Sequence, residues 1–192
     1  ANQTDDSVTT VSFDVFNDMD LDLSVRIFGP DASVAQDLEP EYIAVSADSS
    51  TAYVIAQENN ALIEIDIVAG EAVDIYGLGF KDYSQLTNAI DPSNEDGGVN
   101  IRPVPVFGMY QPDAIAYYNV GGLEYIVTAN EGDARDYDTY SEEERIADIT
   151  LDEDAFPNAA ELQEESNLGR LLITTTLGDG DGDGAYEQLY NY

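Results

Sequence analysis

The chain has 192 residues, of which 40 are acidic and 6 are basic, giving a formal net charge of −34 at pH 7. Nucleic acid and anionic membranes are poor partners for such a chain, because binding phosphate groups needs clustered lysine and arginine. Cysteine and histidine are both absent, so disulfides, thiolate chemistry and imidazole metal sites are excluded. Any metal must be held by oxygen, which favours Ca²⁺, Mg²⁺ or Mn²⁺.

Residues 1–37 are predicted to supply one or two strands, VTTVSFDVF (8–16) and SVRIF (24–28), and a connection from a preceding blade. The first ten residues, ANQTDDSVTT, have neither the basic nor the apolar stretch of an export signal. No run of apolar residues approaches the length needed to cross a bilayer. We therefore expect no membrane insertion by this segment.

Residues 38–76 are predicted to form one blade of a β-propeller. Four short apolar runs follow one another closely, namely YIAV, AYVIA, LIEIDI and AVDIY. The breaks between them, SADSS, QENNA and VAGE, carry turn chemistry. LIEIDI alternates apolar and acidic residues, as a half-buried strand does. Four short antiparallel strands in sequence are typical of a propeller blade, so the expected fold class is all-β.

The pattern recurs after an irregular insertion loop at residues 77–111. EPEYIAVSADSSTAYVIAQEN aligns with QPDAIAYYNVGGLEYIVTANEG, and internal repeats of this kind mark propellers. The second blade, residues 112–192, is expected to use AIAYY, LEYIVTA, LLITTT and YEQLY as strands. Its insertion at 131–169 contains the helix-forming stretches SEEERIADI and NAAELQEES. The chain thus predicts a segment of two to three blades, whose partners are the remaining blades of a longer parent.

The last loop, LGDGDGDGAYEQLY, is predicted to bind Ca²⁺ at residues 179–187. Calcium takes six to eight oxygen ligands, and a D-x-D-x-D-G loop offers them at alternate positions. The expected ligands are the side chains of Asp179, Asp181, Asp183 and Glu187 and the carbonyl of Ala185. The acid stands at the ninth position of the loop rather than the twelfth, which suits a loop between two strands. The alternative is a solvated Asp-Gly linker.

Several strings resemble one family, the choice-of-anchor I proteins, which are related to mesenchyme-specific cell-surface glycoproteins. They include VFGMYQPDAIA, TANEGDARDYD and the Asp-Gly loop, and NEGDARDYD is the most specific of them. The resemblance implies an exported β-propeller at the cell surface or in the extracellular medium, with its signal and anchor outside this segment. Some members are described as alkaline-phosphatase-like.

Two acidic motifs, QENN and NEGDARD, occupy equivalent places after the second strand of each repeat. In a propeller such positions converge on the axis, where grouped carboxylates need a cation. A second divalent metal is therefore predicted there, with candidate ligands Glu41, Glu58, Asn59, Asp113, Asn130, Glu131 and Asp133. The alternative is that these are loop residues that make turns and cap neighbouring blades.

Two functions remain open at this point. The first is a calcium-binding extracellular propeller module that acts in adhesion, in a matrix or at a surface, with surface or matrix components as partners. The second is a metal-dependent phosphoesterase with its site on the propeller axis. In that case a metal would activate water, with Glu131 and Arg135 as catalytic residues and Arg135 holding the phosphate.

Overall fold

The computed structural model describes residues 8–192, so expectations for residues 1–7 lie outside the described residues. The chain divides into two compact units. The first unit comprises residues up to Gly79 together with Gln111–Gly132, and the second comprises Phe80–Tyr110 and Asp133–Tyr192. Strands dominate and helices are short, which confirms the all-β prediction. No helix in residues 8–192 has the length and apolar character needed to span a bilayer.

The strands are short and follow one another along both units. In chain order they are β1 (Pro40–Val45), β2 (Thr51–Ala56), β3 (Ala61–Asp66), β4 (Glu71–Gly77), β5 (Phe80–Asp82), β6 (Phe107–Met109), β7 (Pro112–Val120), β8 (Leu123–Asn130), β9 (Asp136–Tyr137), β10 (Tyr140–Ser141), β11 (Glu143–Arg145), β12 (Thr150–Leu151), β13 (Leu172–Thr174), β14 (Ala185–Tyr186) and β15 (Tyr190–Asn191). The α-helices are α1 (Val34–Asp37) and α2 (Ala159–Leu162), and 3-10 turns occur at Asp14–Phe16, Leu86–Asn88 and Ile146–Asp148.

The first unit is built on a four-stranded antiparallel sheet in which β1 to β4 each pair with the next strand along the chain. The register of β2 on β3 runs without interruption from Thr51 opposite Asp66 to Ala56 opposite Ala61. These strands are the four runs predicted from the sequence, so the four-stranded meander is confirmed.

The inner strand β2 is buried on both of its faces: AYVIA is a continuous apolar run, and successive side chains in a strand point to opposite sides. On one side, a core forms with the N-terminal segment and comprises Phe16, Val25, Val34, Leu38, Val54, Ala56, Ala61, Ile63 and Ile75. On the other side, Ala44 and Ile55 pack against Ile115 of β7. The middle of the sheet is therefore covered on both faces, whereas much of the edge strands β1 and β4 is exposed.

The strands β7 and β8 form a hairpin that packs on the second face of the sheet. The turn residues Gly121 and Gly122 have φ values of 64° and 84°, as a two-residue hairpin turn requires. Tyr117 on the inner side stacks on Tyr53 of β2, with ring centroids 6.4 Å apart. The outer side is the apolar hairpin face, formed by the exposed side chains of Tyr118, Val120, Leu123, Tyr125 and Val127.

The two predicted N-terminal strands do not form. In residues 8–37 the structure has only the 3-10 turn and α1 as regular elements. In SVRIF, both backbone groups of Arg26 bond to a distant loop instead of a neighbouring strand: the Arg26 N–H donates to the Asn59 carbonyl at 2.8 Å, and the Asn59 side-chain amide donates to the Arg26 carbonyl at 2.7 Å. Because these two backbone groups are bonded to Asn59, they are not available to pair with a neighbouring strand.

The second unit has its own core and several very small sheets. The core comprises Val104, Val106, Ile146, Leu151, Phe156, Leu162, Leu168, Ile173 and Leu189. The sheets are β15-β6-β5, β11-β13, β12-β14 and β9-β10. The pairs β12-β14 and β15-β6 are parallel. Burial of side chains from many short segments, rather than long ladders, thus defines this unit.

The second repeat departs from the predicted four-stranded blade. AIAYY and LEYIVTA do form β7 and β8, but these make a two-stranded sheet. LLITTT gives β13, which pairs with β11, and YEQLY contributes to β14 and β15 in two further sheets. In the insertion, NAAELQEES begins as the short helix α2, whereas SEEERIADI forms β11 and a 3-10 turn. Pairing with β13 outweighs the helix propensity of that acidic run.

Candidate metal centre

The Asp-Gly loop brings four acidic side chains to one point. One carboxylate oxygen each from Asp179, Asp181, Asp183 and Glu187 lies within 4.8 Å of the others. Within residues 8–192, no other group of three or more acidic side chains comes this close together. The fifth predicted ligand, Ala185, is the first residue of β14, where the loop ends. The four side chains expected to act together are therefore brought together.

Backbone N–H groups hold the two ends of this loop in place. The carboxylate of Asp179 accepts hydrogen bonds from the N–H of Gly182 at 2.8 Å and of Gly184 at 3.0 Å. The carboxylate of Glu187 accepts one from the N–H of Gly180 at 2.7 Å. Gly184 has a φ of 89°, so the sharp turn expected of it is present. These bonds wrap the chain around the carboxylates.

The middle of the loop is arranged by two shorter turns. Asp181 accepts a hydrogen bond from the Asp183 N–H at 3.2 Å, and Asp183 accepts one from the Ala185 N–H at 2.8 Å. In each aspartate the other carboxylate oxygen accepts no hydrogen bond from the described residues. Both side chains are exposed, whereas those of Asp179 and Glu187 are half-buried. Oxygens therefore remain available to a cation from solvent.

A concave space lies beside these carboxylates. It has a volume of about 480 Å³ and is lined by Gly178, Gly180, Asp181, Glu187 and Gln188. The strands that flank the loop, β13 and β14, are present as predicted but do not pair with each other, because their partners are β11 and β12. The loop is thus held between two separate pairings instead of closing a hairpin.

The QENN motif of the other predicted site forms a buried turn between β2 and β3. Asn59 is fully buried. Its amide nitrogen donates to the carbonyl of Arg26 at 2.7 Å and to the carboxylate of Asp37 at 3.1 Å, and its amide oxygen accepts the Glu39 N–H at 3.0 Å. These contacts give Asn59 a structural role at the centre of the first unit.

The neighbours of Asn59 behave similarly. Glu58 is 9% exposed, and its backbone carbonyl accepts a hydrogen bond from the Arg26 guanidinium at 2.8 Å. Asn60 donates to the carbonyl of Gly79 at 3.0 Å and accepts from the Gln111 N–H at 3.2 Å. The QENN turn therefore joins several segments of the first unit through buried polar contacts.

The candidates from the second repeat lie mostly at the surface. Glu41, Asp113, Asn130, Glu131 and Asp133 are exposed. The Asn130 side chain accepts a hydrogen bond from the Thr128 hydroxyl at 3.0 Å, and the Glu131 N–H donates to the Gln111 carbonyl at 3.3 Å. The described residues show no grouping of three acids among them. The second metal stays a prediction.

Arg135, the predicted phosphate ligand, is 6% exposed. Its backbone N–H donates to the carboxylate of Glu142 at 3.0 Å, and its backbone carbonyl accepts the Glu142 N–H at 3.1 Å. Glu142 is fully buried and also accepts a short hydrogen bond from the Thr174 hydroxyl. Arg135 is thus part of a buried polar cluster in the second unit, and the phosphoesterase alternative stays a prediction.

Sequence reasoning missed the buried carboxylate of Glu142. It also missed Arg145 and Arg170, which line a cavity in the second unit. The run SEEER contains four charged residues with no periodicity that singles out the buried one. For the arginines a signal was available: basic residues are so scarce in this chain that the position of each one is informative.

Comparisons with known proteins relate this chain to one named glycoprotein and to one domain family. It is 36% identical over 97 residues to a mesenchyme-specific cell surface glycoprotein of Strongylocentrotus purpuratus. The match takes in 50% of this chain and 12% of the relative's length. No solved structure is significantly similar to the chain. The model of the choice-of-anchor I domain matches residues 1–192, and the chain therefore belongs to the choice-of-anchor I family.

Proposed function

We propose that the chain is a calcium-binding β-propeller module that works at a cell surface or in an extracellular matrix. The observation that carries this proposal is the convergence of Asp179, Asp181, Asp183 and Glu187 within 4.8 Å. Four carboxylates this close repel one another strongly unless a cation lies between them. A cation that neutralises them removes this repulsion and gains from every ligand at once.

The donor set favours calcium over other metals. All four side chains offer hard oxygen ligands, and the loop around them is rich in glycine, which suits the flexible coordination of calcium at 2.3–2.6 Å. Magnesium demands a near-ideal octahedron and gives up its water reluctantly. The exposed position of Asp181 and Asp183 lets water complete the coordination shell. Zinc is disfavoured because the chain has no cysteine or histidine.

The hydrogen bonds of the loop support binding without large rearrangement. The carboxylates are oriented by N–H groups of Gly180, Gly182 and Gly184, so less conformational freedom is lost when the cation arrives. Partial positive charge from these N–H groups also lowers the repulsion between carboxylates before binding. We propose Asp179, Asp181, Asp183, Glu187 and the carbonyl of Ala185 as the ligands.

The propeller part of the proposal rests on the layering of the first unit. In propellers, four-stranded antiparallel sheets pack face to face around an axis. The β1–β4 meander is such a sheet, and the β7–β8 hairpin packs on one of its faces through Ile55 and Ile115. The apolar hairpin face is exposed, and large exposed apolar patches mark interaction sites. We propose that the remaining blades of the parent chain cover it.

The surface role draws on the family and on charge. The sea urchin relative is named as a cell surface glycoprotein. A net charge of −34 suits surroundings rich in calcium or salt, where cations screen self-repulsion. We propose surface or matrix components as partners, reached through calcium or basic groups on those components.

The ligand assignment is tested by Asp183→Asn in the full-length protein. We expect calcium affinity to fall about tenfold or more, because affinity in such loops follows the number of charged ligands. Isothermal titration of calcium into the chelator-treated protein measures the change. The control is Asp152→Asn, which removes an acid whose side chain also accepts backbone N–H groups in a turn but which stands outside the cluster. Equal losses in both variants would mean that net charge, and not the loop, sets the affinity.

A further inference from the structure

The second unit contains a cavity whose lining is unusual for so acidic a chain. Its volume is about 680 Å³, within the range of small-molecule sites. Arg145 and Arg170, two of the six basic residues of the chain, both line it. Ser93, Asn94 and Asn191 add uncharged hydrogen-bonding groups. Positive charge is therefore concentrated in one concave place.

The two arginines are fixed by contacts to uncharged groups. Arg145, at the end of β11, donates from Nη1 to the Arg170 carbonyl at 2.9 Å. Arg170 donates from Nε to the side-chain oxygen of Asn94 at 2.9 Å. Each guanidinium has five N–H donors, so most donors of both groups are left over. Neither arginine forms an ion pair with any of residues 8–192, although the chain carries 40 acids.

This arrangement points to an anionic ligand. An arginine on an acidic surface readily finds a carboxylate, yet neither of these arginines is within ion-pair distance of one among residues 8–192, although Asp91 lines the same cavity. Two guanidinium groups that line one cavity repel each other, and an oxyanion offsets this repulsion by accepting the left-over donors bidentately. The cavity is preorganised for this, because Arg145 is on a strand and Arg170 precedes β13.

The surrounding charge selects the kind of anion. Asp91 also lines the cavity, and the net charge of the whole chain repels multiply charged anions more than singly charged ones. A planar monocarboxylate matches the guanidinium fork with the smallest repulsion. Asn94 and Asn191 suit hydroxyl groups on the body of the ligand, and Leu171 with Tyr192 offers an apolar wall. The Tyr192 phenol is neutral at physiological pH, as tyrosine ordinarily is, and burial raises its pKa further.

We propose that this cavity binds a small hydroxylated monocarboxylate of the sugar-acid class through Arg145 and Arg170. The site is separate from the Asp-Gly loop in its residues and in the sign of its ligand. It would let the protein recognise an acidic sugar by a direct contact, in addition to any contact made through a cation.

The first experiment titrates glucuronate into the full-length protein and follows binding by NMR or calorimetry. We expect a Kd of about 1 mM, as a small ligand of this size allows. Glucose has a closely similar ring without the carboxylate and should not bind under the same conditions. Inorganic phosphate and sulfate should compete weakly. Absence of glucuronate binding at about twenty times that concentration, equal binding of glucose, or tighter binding of phosphate would each overturn the proposal.

The second experiment uses variants of the two arginines. Arg145→Gln and Arg170→Gln should each weaken glucuronate binding at least about tenfold, and Arg170→Lys should also weaken it because lysine lacks the planar fork. The matched control is Lys81→Gln, which removes an exposed positive charge outside the cavity and should leave the affinity unchanged. Melting temperatures identify any variant that fails to fold, and Arg170→Lys is the variant least exposed to that failure. Unchanged affinity in folded arginine variants would place the ligand elsewhere.

Discussion

Removal of calcium is expected to lower the melting temperature of the full-length protein by roughly 5–10 °C. A ligand that binds only the native state stabilises it by about 2.7 kcal/mol at a hundredfold excess over its Kd. A change of 1 kcal/mol shifts the melting temperature of a chain of this size by about 2–4 °C. Without the cation, the native state also carries the repulsion between the four carboxylates of the loop. Scanning calorimetry with 10 mM calcium and then with excess chelator measures the difference.

Two controls separate site binding from general screening. Sodium chloride at matched ionic strength should restore much less of the lost stability, because it screens charges without coordinating them. Asp183→Asn should remove at least about half of the calcium effect, because a tenfold loss of affinity lowers the stabilisation from about 2.7 to about 1.4 kcal/mol, while the screening effect should be kept. A melting curve that chelation leaves unchanged would reduce the loop to a solvated turn and remove the basis of the calcium proposal.

The largest effect of a single substitution is expected at Asn59. Asn59→Ala should lower the free energy of unfolding by about 3–5 kcal/mol, because it removes a hydrogen bond from each of Arg26, Asp37 and Glu39, and a buried hydrogen bond lost in this way costs about 1–3 kcal/mol. Denaturant titration of the variant and of the unsubstituted protein measures the loss of unfolding free energy. The site is fully buried, so water does not readily replace the missing amide.

Matched variants make this result specific. Asn119→Ala removes an exposed asparagine that accepts one hydrogen bond, from the Gly122 N–H at 3.3 Å, and should change stability by less than about 0.5 kcal/mol. Asn59→Asp keeps the size of the side chain but places a second carboxylate beside that of Asp37, so it should be at least as harmful as alanine. A loss below about 1 kcal/mol in Asn59→Ala would contradict the structural role given to the QENN turn.

Local patterns predicted the parts of the fold that are made by neighbours in sequence. LIEIDI alternates and pairs with the strands on either side of it, and the Gly121-Gly122 turn closes the β7–β8 hairpin. The alternate spacing of the acids in the loop also predicted that their carboxylates lie close together, since Asp179 and Asp183 are near each other along one tightly turned loop. In each case the forces that decide the structure act between residues close along the chain.

Distant pairings were beyond the sequence. SVRIF has the composition of a strand, but its partner is Asn59, which is 33 residues away from Arg26. The burial of Glu142 depends on Thr174, 32 residues further on, and the arginine cavity assembles loops from both segments of the second unit. Hydrophobic periodicity in the sequence does not predict such contacts, because they depend on how distant segments pack together and not on the local secondary-structure propensity.

The parallel pairings of the second unit have a consequence for the order in which the chain folds. β6 pairs with β15, and β12 pairs with β14. These pairings form only after the later strand of each pair has been synthesised and has folded back onto the earlier one. Closing such long loops is slow because their entropy is lost before the short ladders repay it. The β1–β4 meander needs no such delay. During synthesis, the first sheet would therefore be complete while β12, β14 and the acidic loop before β14 were still unpaired, and the loop would acquire its carboxylate geometry after that sheet.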